Sequence, residues 1–108
     1  MYTDQIAMNL IVLAGNARSK AMEAIETARE AKFDEARHLL QEAQQELNAA
    51  HHTQTDLLSA SAKGEQITMD ILLVHAQDHL TMASISIDFA EEFILLREEM
   101  KRLSVGRS

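Results

Sequence analysis

Apolar residues recur every three or four positions along three stretches of the chain, which is the spacing of one face of an α-helix. The last stretch is the longest, and ionisable residues interrupt its apolar stripe. This stripe consists of Ile71, His75, Asp78, Met82, Ile85, Phe89, Phe93, Leu96, Met100 and Leu103. Because positions three and four apart share a helix face, Asp78 and His79 both lie beside His75. The pattern predicts a polar cluster within a seam that packs against other protein.

The first two stretches predict helices over about residues 3–30 and 33–62. Their apolar stripes are Ile6, Leu10, Leu13, Ala17, Ala21, Ala24 and Ala28, and then Phe33, Ala36, Leu40, Ala43, Leu47, Ala50 and Leu57. The second stripe alternates between spacings of three and four, as in a coiled-coil-like seam, and Gln54 is its one polar interruption. The join between the stretches contains no glycine or proline and, taken alone, could continue one long helix. Asp34 and Glu35 suit a helix N-terminus and favour a break there.

A third helix is predicted over about residues 68–103. Gly64 suits the left-handed position that follows a helix, Thr68 can cap the next helix, and Asp70 falls in its first turn. Apolar residues also occupy other faces of this helix, namely Leu72, Leu73, Leu80, Ile87, Ala90 and Ile94. A helix that is apolar around so much of its circumference is usually covered by more protein. We therefore expect the bundle to associate with copies of itself.

Composition agrees with an all-α fold. The 108 residues include no proline, only three glycines and 4% aromatic residues. The turn residues that β-hairpins and β-sandwiches usually require are therefore scarce. A chain of this length forms one domain, with helices that pack through small side chains. We predict an antiparallel three-helix bundle over residues 1–103 and a flexible tail over 104–108.

Charge and targeting signals exclude several classes of protein. The net charge of −7 argues against nucleic-acid binding, which usually requires a basic face. The N-terminus lacks the features of a signal peptide, and no run of about 18 apolar residues occurs. We expect a cytoplasmic protein without direct insertion into a membrane. The absence of cysteine excludes thiolate chemistry and leaves histidine, carboxylates, serine and lysine as candidate nucleophiles or ligands.

The polar cluster allows three interpretations from residue chemistry alone. His75 could act as a nucleophile that accepts a phosphoryl group, with His79 one turn away to donate a hydrogen bond. Gln77 points elsewhere on an isolated helix and could reach such a group only from a neighbouring chain. Alternatively, His75, Asp78 and His79 could converge on a metal ion. The third interpretation is that all three side chains only hydrogen-bond inside a bundle.

Two other features have mainly structural interpretations. The adjacent His51 and His52 point about 100° apart on a helix, which favours a solvated pair over a ligand set. Gly15 costs about 1 kcal/mol relative to alanine within a helix. Close approach of another backbone is the first explanation for this glycine, and access for a docking protein is the second.

Three segments resemble the IIA component of the lactose/cellobiose type in the bacterial sugar phosphotransferase system. They are Gly15-Asn16-Ala17-Arg18-Ser19, Ala50-His51-His52-Thr53-Gln54-Thr55 and Val74-His75-Ala76-Gln77-Asp78-His79-Leu80. The resemblance extends over nearly the whole chain, and the last segment is highly specific. It favours the phosphoryl-acceptor interpretation over a non-enzymatic helical adaptor and over a metal-binding bundle.

The resemblance implies a homotrimer with a coiled-coil-like core of nine helices. It implies that His75 accepts phosphate from the histidine phosphocarrier protein and passes it to the IIB component during β-disaccharide uptake. With His75 in this role, we expect His79 and Gln77 to stabilise the phosphoryl group. Asp78 would meet its two copies on the threefold axis around a divalent cation, expected to be Mg²⁺, because three buried carboxylates would otherwise repel.

The chain departs from the family pattern at two places. The family usually has a glycine-aspartate pair before the phenylalanine of the first turn, where this chain has Ala31 and Lys32. After the third segment the family typically reads Leu-Met-Thr, but here Thr81 precedes Met82. The first departure bears on the turn geometry, and the second bears on packing near the trimer axis. The third segment itself looks closest to the cellobiose and diacetylchitobiose branch.

Overall fold

The protein is an all-α bundle of three helices in the computed structural model, which describes residues 3–105. Helix α1 spans Asp4–Arg29, α2 spans Phe33–Ala62 and α3 spans Ile71–Val105. This arrangement confirms the predicted fold class. Among the described residues, no helix is long and apolar enough to cross a membrane.

The bundle is elongated, with extents of 64 × 20 × 18 Å. Successive helices reverse direction, so α1 and α3 run parallel to each other. The hydroxyl of Thr3, just before α1, donates a hydrogen bond to the carbonyl of Thr68, just before α3, at 3.1 Å. This bond fixes the start of one helix beside the start of the other, and α1 packs against both α2 and α3.

Alanine dominates the core. The buried residues of α1 and α2 are Ala7, Leu10, Ala14, Ala17, Ala21, Ala24, Ala28, Ala36, Ala43, Leu47, Ala50 and Leu57. Most of these alanines recur at every seventh position, as do Ala76, Ala83 and Ala90 in α3. Small residues at heptad spacing let helix backbones approach closely, with the larger side chains filling the space between layers. The core is therefore narrow and contains no fully buried aromatic side chain among the described residues.

The break between α1 and α2 lies at Ala31, as the acidic residues after it indicated. The amide of Lys32 donates to the carbonyl of Thr27 at 3.2 Å, and the amide of Ala31 donates to that of Ala28 at 3.0 Å. These two bonds form a Schellman motif, which requires a left-handed residue after the helix. Ala31 takes this position with φ of 62°. A residue with a Cβ is thus held where glycine is preferred.

Replacing Ala31 with glycine should stabilise the fold. A left-handed conformation costs an L-residue roughly 1–2 kcal/mol, and the greater freedom of glycine in the unfolded chain offsets part of the gain. We expect the free energy of unfolding to rise by about 0.5–1 kcal/mol in chemical denaturation. Glu30→Gly, one residue earlier at φ of −85°, is the matched control and should destabilise. A destabilised Ala31→Gly variant would contradict this explanation of the turn.

The connection from α2 to α3 agrees with the prediction where α2 ends and differs from it where α3 begins. Gly64 has φ of 91° and closes α2 with a second Schellman motif, as its position suggested. Thr68, however, is not the cap of α3. The carboxylate of Asp70 accepts a hydrogen bond from the amide of Leu73 at 2.9 Å, so the helix begins at Ile71 rather than near 68. The side chain of Asp70, three residues before Leu73, can reach that amide, whereas the side chain of Thr68 cannot.

The C-terminal end of α3 also differs from the prediction. Helix α3 continues through Ser104 and Val105, two residues that were assigned to the tail. Residues 106–108 of that predicted tail lie outside the described residues.

Helix α3 has two apolar faces, and only one of them packs inside the chain. The buried face consists of Leu73, Ala76, Leu80, Ala83, Ile87, Ala90 and Ile94. The stripe that contains His75 and Asp78 lies on the opposite side and is open to solvent in the single chain, with Met82 44% and Phe89 59% exposed. This seam therefore does not pack within its own chain, and its packing against other copies stays a prediction. The alanine-rich face allows the closer approach of α1, and the bulkier face is left outside.

Candidate functional site

His75 and His79 contact each other on the outer side of α3, one turn apart. Their Nε2 atoms lie 3.0 Å apart, and the rings meet edge to face at 85° with centroids separated by 4.5 Å. His75 is exposed, whereas His79 is half-buried. The helix spacing that suggested the pair thus produces a direct hydrogen bond between the two imidazoles.

The geometry of this pair suits nucleophilic chemistry at His75. A hydrogen bond between two neutral imidazole nitrogens requires one protonated nitrogen and one lone pair. When His79 donates, the Nε2 atom of His75 keeps its lone pair and its proton resides on Nδ1. When this hydrogen bond opens, the exposed ring presents a nucleophilic nitrogen to an incoming group, and the half-buried ring supplies a donor beside it.

Asp78 lies on the exposed apolar stripe beside this pair. It is exposed in the single chain, with Val74 before it and Met82 after it on the same face. Within the described residues, no group of three histidine or acidic side chains is placed to hold a metal ion. His75, Asp78 and His79 are therefore not arranged as a metal site within one chain.

Gln77 faces the other side of α3 and contacts α2. Its side-chain oxygen accepts a hydrogen bond of 2.6 Å from the Nε2 atom of Gln54. One clue to this bond is visible in the sequence, since Gln54 is the polar interruption in the apolar stripe of α2. The contact itself joins residues on different helices, so spacing along one helix does not predict it. Gln77 does not reach His75 within the same chain, as its position on the helix indicated.

The remaining sequence candidates lie away from the two imidazoles. His51 and His52 are both exposed, and the Nε2 atom of His52 lies 3.9 Å from a carboxylate oxygen of Asp56. This placement agrees with a solvated pair. Around Gly15, apart from its chain neighbours and the adjacent backbone of its own helix, no heavy atom of the described residues lies within 4 Å of where a Cβ would stand. Close approach of a backbone within the chain therefore does not explain this glycine.

The family model for the lactose/cellobiose-specific IIA subunit of the sugar phosphotransferase system matches residues 5–98. The chain belongs to this family. It is accordingly a IIA component of a phosphotransferase system, and the three-helix bundle is the expected scaffold. The resemblance drawn from the three sequence segments is confirmed.

Curated relatives span several sugars. The chain is 47% identical over 97 residues to the lichenan-specific IIA component of Bacillus subtilis, covering 90% of this chain and 88% of the relative. It is 44% identical to the galactose-specific component of Lactococcus lactis subsp. cremoris, covering 82% and 77% of the two chains. Identity to the N,N'-diacetylchitobiose-specific component of Escherichia coli K12 is 34%, with coverage of 91% and 84%. Overall sequence identity therefore does not single out one class of sugar among these relatives.

Solved structures agree with the fold. The cellobiose-specific enzyme IIA from Bacillus anthracis superposes with a TM-score of 0.90 at 43% identity, covering 94% of each chain. The IIA(Chitobiose) component in complex with HPr, from the Escherichia coli phosphotransferase system, gives 0.79 at 30% identity, covering 94% of this chain and 98% of that one. The second of these relatives was determined with a partner protein bound.

Proposed function

We propose that this IIA component is a cytoplasmic phosphoryl carrier that accepts phosphate on His75 and passes it to a IIB component. The observation that carries this proposal is the exposed imidazole of His75, whose Nε2 atom lies 3.0 Å from the Nε2 atom of His79. Such a pair offers a nucleophile and a neighbouring donor without further catalytic apparatus. Phosphoryl transfer relies mainly on positioning and on stabilisation of charge, so little more is required.

The transfer can be followed atom by atom at His75. The N–H of His79 first releases the Nε2 atom of His75. The freed Nε2 lone pair then attacks phosphorus, a new N–P bond forms, and the bond from phosphorus to the phosphohistidine nitrogen of the donor protein breaks. The donor's imidazole leaves with the electron pair of that bond. The N–H of His79, which pointed at the His75 nitrogen, then donates to a phosphoryl oxygen. The same steps in reverse order deliver the group to an acceptor on IIB.

The partner that supplies phosphate is proposed to be the histidine phosphocarrier protein. A homologous IIA protein with the same fold was determined in complex with HPr, which supports this assignment. The sugar is proposed to be a β-disaccharide of the cellobiose and diacetylchitobiose class rather than lactose, from the sequence around His75. Sugar recognition itself would belong to the membrane component and not to this bundle.

The active assembly is proposed to be a homotrimer with the exposed stripe of α3 at its centre. The stripe carries Met82, Ile85, Phe89, Phe93, Leu96, Met100 and Leu103, each between 44% and 59% exposed. A continuous apolar patch of this length on a monomer is typical of an interface. Burying it between copies would also place three Asp78 carboxylates near one another.

A divalent cation, with Mg²⁺ as the expected ion, fits this arrangement through its donor set. Carboxylate oxygens are the ligands that Mg²⁺ prefers, and each chain would contribute the single carboxylate of Asp78. When bound, the ion would neutralise charge at the subunit junction. It has no role in the attack by His75, which is proposed to proceed from the imidazoles alone.

Labelling separates this function from that of a helical adaptor. Incubation with radiolabelled phosphoenolpyruvate and the general phosphotransferase proteins should label the chain, and the label should be lost in acid, as phosphohistidine is. Transfer of that label to a IIB component should follow when it is added. A chain that remains unlabelled while still binding the phosphocarrier protein would be an adaptor instead.

Docking of the phosphocarrier protein should perturb the surface around His75. We expect amide chemical shifts to change near His75 when the unlabelled partner is titrated into ¹⁵N-labelled protein. Met22, which is 48% exposed, and the half-buried Ile25 are candidate rim contacts on α1. Shifts confined to the surface at His51 and His52 would contradict this placement.

A further inference from the structure

A short chain of hydrogen bonds links α2 to Gln77 on α3. The Nε2 atom of Gln54 donates to the side-chain oxygen of Gln77 at 2.6 Å. The Nδ1 atom of His51 lies 3.4 Å from the side-chain oxygen of Gln54, one turn earlier on α2. The three side chains therefore form a path from the surface of α2 to α3.

Along this path, each hydrogen bond has a defined donor and a defined acceptor. A carbonyl oxygen can only accept, so His51 must donate to Gln54, and Gln54 must donate to Gln77. The oxygen of Gln77 is then occupied from the α2 side. Its amide nitrogen makes no hydrogen bond within the described residues and keeps both of its N–H donors.

The two glutamines are half-buried beside apolar side chains. They line one end of a cavity of about 270 Å³ whose walls are mainly apolar, among them Leu57 and Leu73. A hydrogen bond beside apolar side chains is stronger than one in water, and an unmet partner there is costly. The amide of Gln77 is thus held in one of its two possible orientations.

We propose that Gln54 is a positioning residue that holds the Gln77 amide with its N–H donors toward the phosphoryl group on His75 of a neighbouring subunit. This inference rests on the proposed phosphoryl-carrier function. With the amide reversed, Gln77 would present its oxygen to the phosphoryl oxygens, and two acceptors would repel. The orientation set by Gln54 accordingly decides whether Gln77 stabilises the phosphorylated protein or weakens it.

The test exchanges the hydrogen-bonding role of residue 54. Gln54→Glu replaces the donor with an acceptor, so the Gln77 amide should turn and donate to the new carboxylate. We expect the phosphorylated variant to hydrolyse roughly tenfold faster than the parent, the effect of losing one hydrogen bond to a charged group. Gln54→Lys keeps only donors and should leave the lifetime of the phosphorylated protein within about twofold of the parent.

Charge controls come from Gln45, an exposed residue on the same helix. Gln45→Glu and Gln45→Lys introduce the same charges away from Gln77, and both should keep the parental lifetime. If Gln54→Glu behaves like Gln45→Glu, or if Gln54→Glu and Gln54→Lys lose stability equally, the positioning role is wrong. An equal loss would indicate that residue 54 only fills space.

A second measurement does not depend on phosphorylation. In unphosphorylated protein with ¹⁵N-labelled glutamine, the side-chain NH₂ of Gln54 should exchange slowly with solvent and that of Gln77 quickly. In Gln54→Glu the Gln77 NH₂ should become protected, because it then donates to the carboxylate. An unchanged exchange rate at Gln77 would overturn the inference. A parent chain that accepts no phosphate but shows this pattern would overturn the proposed function and retain only the orientation.

Discussion

Replacing His75 with alanine is expected to abolish phosphate acceptance while leaving the bundle folded. The imidazole is exposed in the single chain, so its loss creates no cavity in the core. Helix α3 should be undisturbed, because alanine is the best helix former. Loss of the attacking nitrogen should lower the rate of labelling by roughly a thousandfold or more, as removal of a nucleophile usually does.

The matched control is His79→Ala, which removes the neighbouring donor and leaves the nucleophile. We expect this variant to accept phosphate, with a rate lowered by roughly 10- to 100-fold for a lost hydrogen bond to a charged group. Circular dichroism and sedimentation should show that both variants keep the helical content and the assembly of the parent. Full labelling of His75→Ala would contradict this assignment and would make His79 the next candidate acceptor.

Replacing Asp78 with leucine should make the trimer independent of metal. Three carboxylates brought together at a subunit junction repel strongly at low effective dielectric, so the parent should require a divalent cation or partial protonation. Leucine removes these charges and extends the apolar stripe that runs on through Met82 and Ile85. Replacing a buried ionic cluster with apolar residues is often neutral or stabilising by about 1–4 kcal/mol.

Sedimentation with and without a chelator at alkaline pH measures this difference. The parent should dissociate when the metal is removed, whereas Asp78→Leu should remain trimeric, resist heat at least as well, and still accept phosphate on His75. Asp88→Leu, at an exposed position on the same helix, is the control for a general effect of added apolar surface. A monomeric Asp78→Leu variant without metal would exclude Asp78 from the subunit junction.

Local rules predicted the three helices because each has a strong apolar period. They also placed the first break correctly, from the acidic residues that open α2. They did not foresee that Ala31 adopts a left-handed conformation, since nothing in its side chain favours φ of 62°. The Schellman bonds around it impose that angle, and those bonds depend on the path of both helices.

The two faces of α3 show what apolar spacing alone does not predict. Both faces repeat every three or four residues, so the spacing alone does not say which face packs inside the chain. The heptad of Ala76, Ala83 and Ala90 carries the missing information, because matching alanines on α1 and α2 allow close helix contact. The bulkier side chains around Phe89 are then left for contacts with other copies.

The contacts at the candidate site also differ in how far the sequence predicts them. The pairing of His75 with His79 follows from a separation of four residues on one helix and was predictable. The bond between Gln54 and Gln77 joins residues 23 positions apart on different helices and depends on the register between α2 and α3. Polar residues that interrupt apolar stripes identify the participants, but only the packed structure identifies the partners.

The central claim is that phosphate resides on His75, and ¹⁵N NMR of the imidazoles tests it most directly. The chain contains five histidines, so each ring can be followed when the protein is labelled at histidine nitrogens and phosphorylated. We predict a large shift and a coupling to ³¹P at the Nε2 atom of His75, with His79 changing only as its hydrogen bond moves to a phosphoryl oxygen. A ³¹P coupling at any other histidine, or at none, would contradict the account.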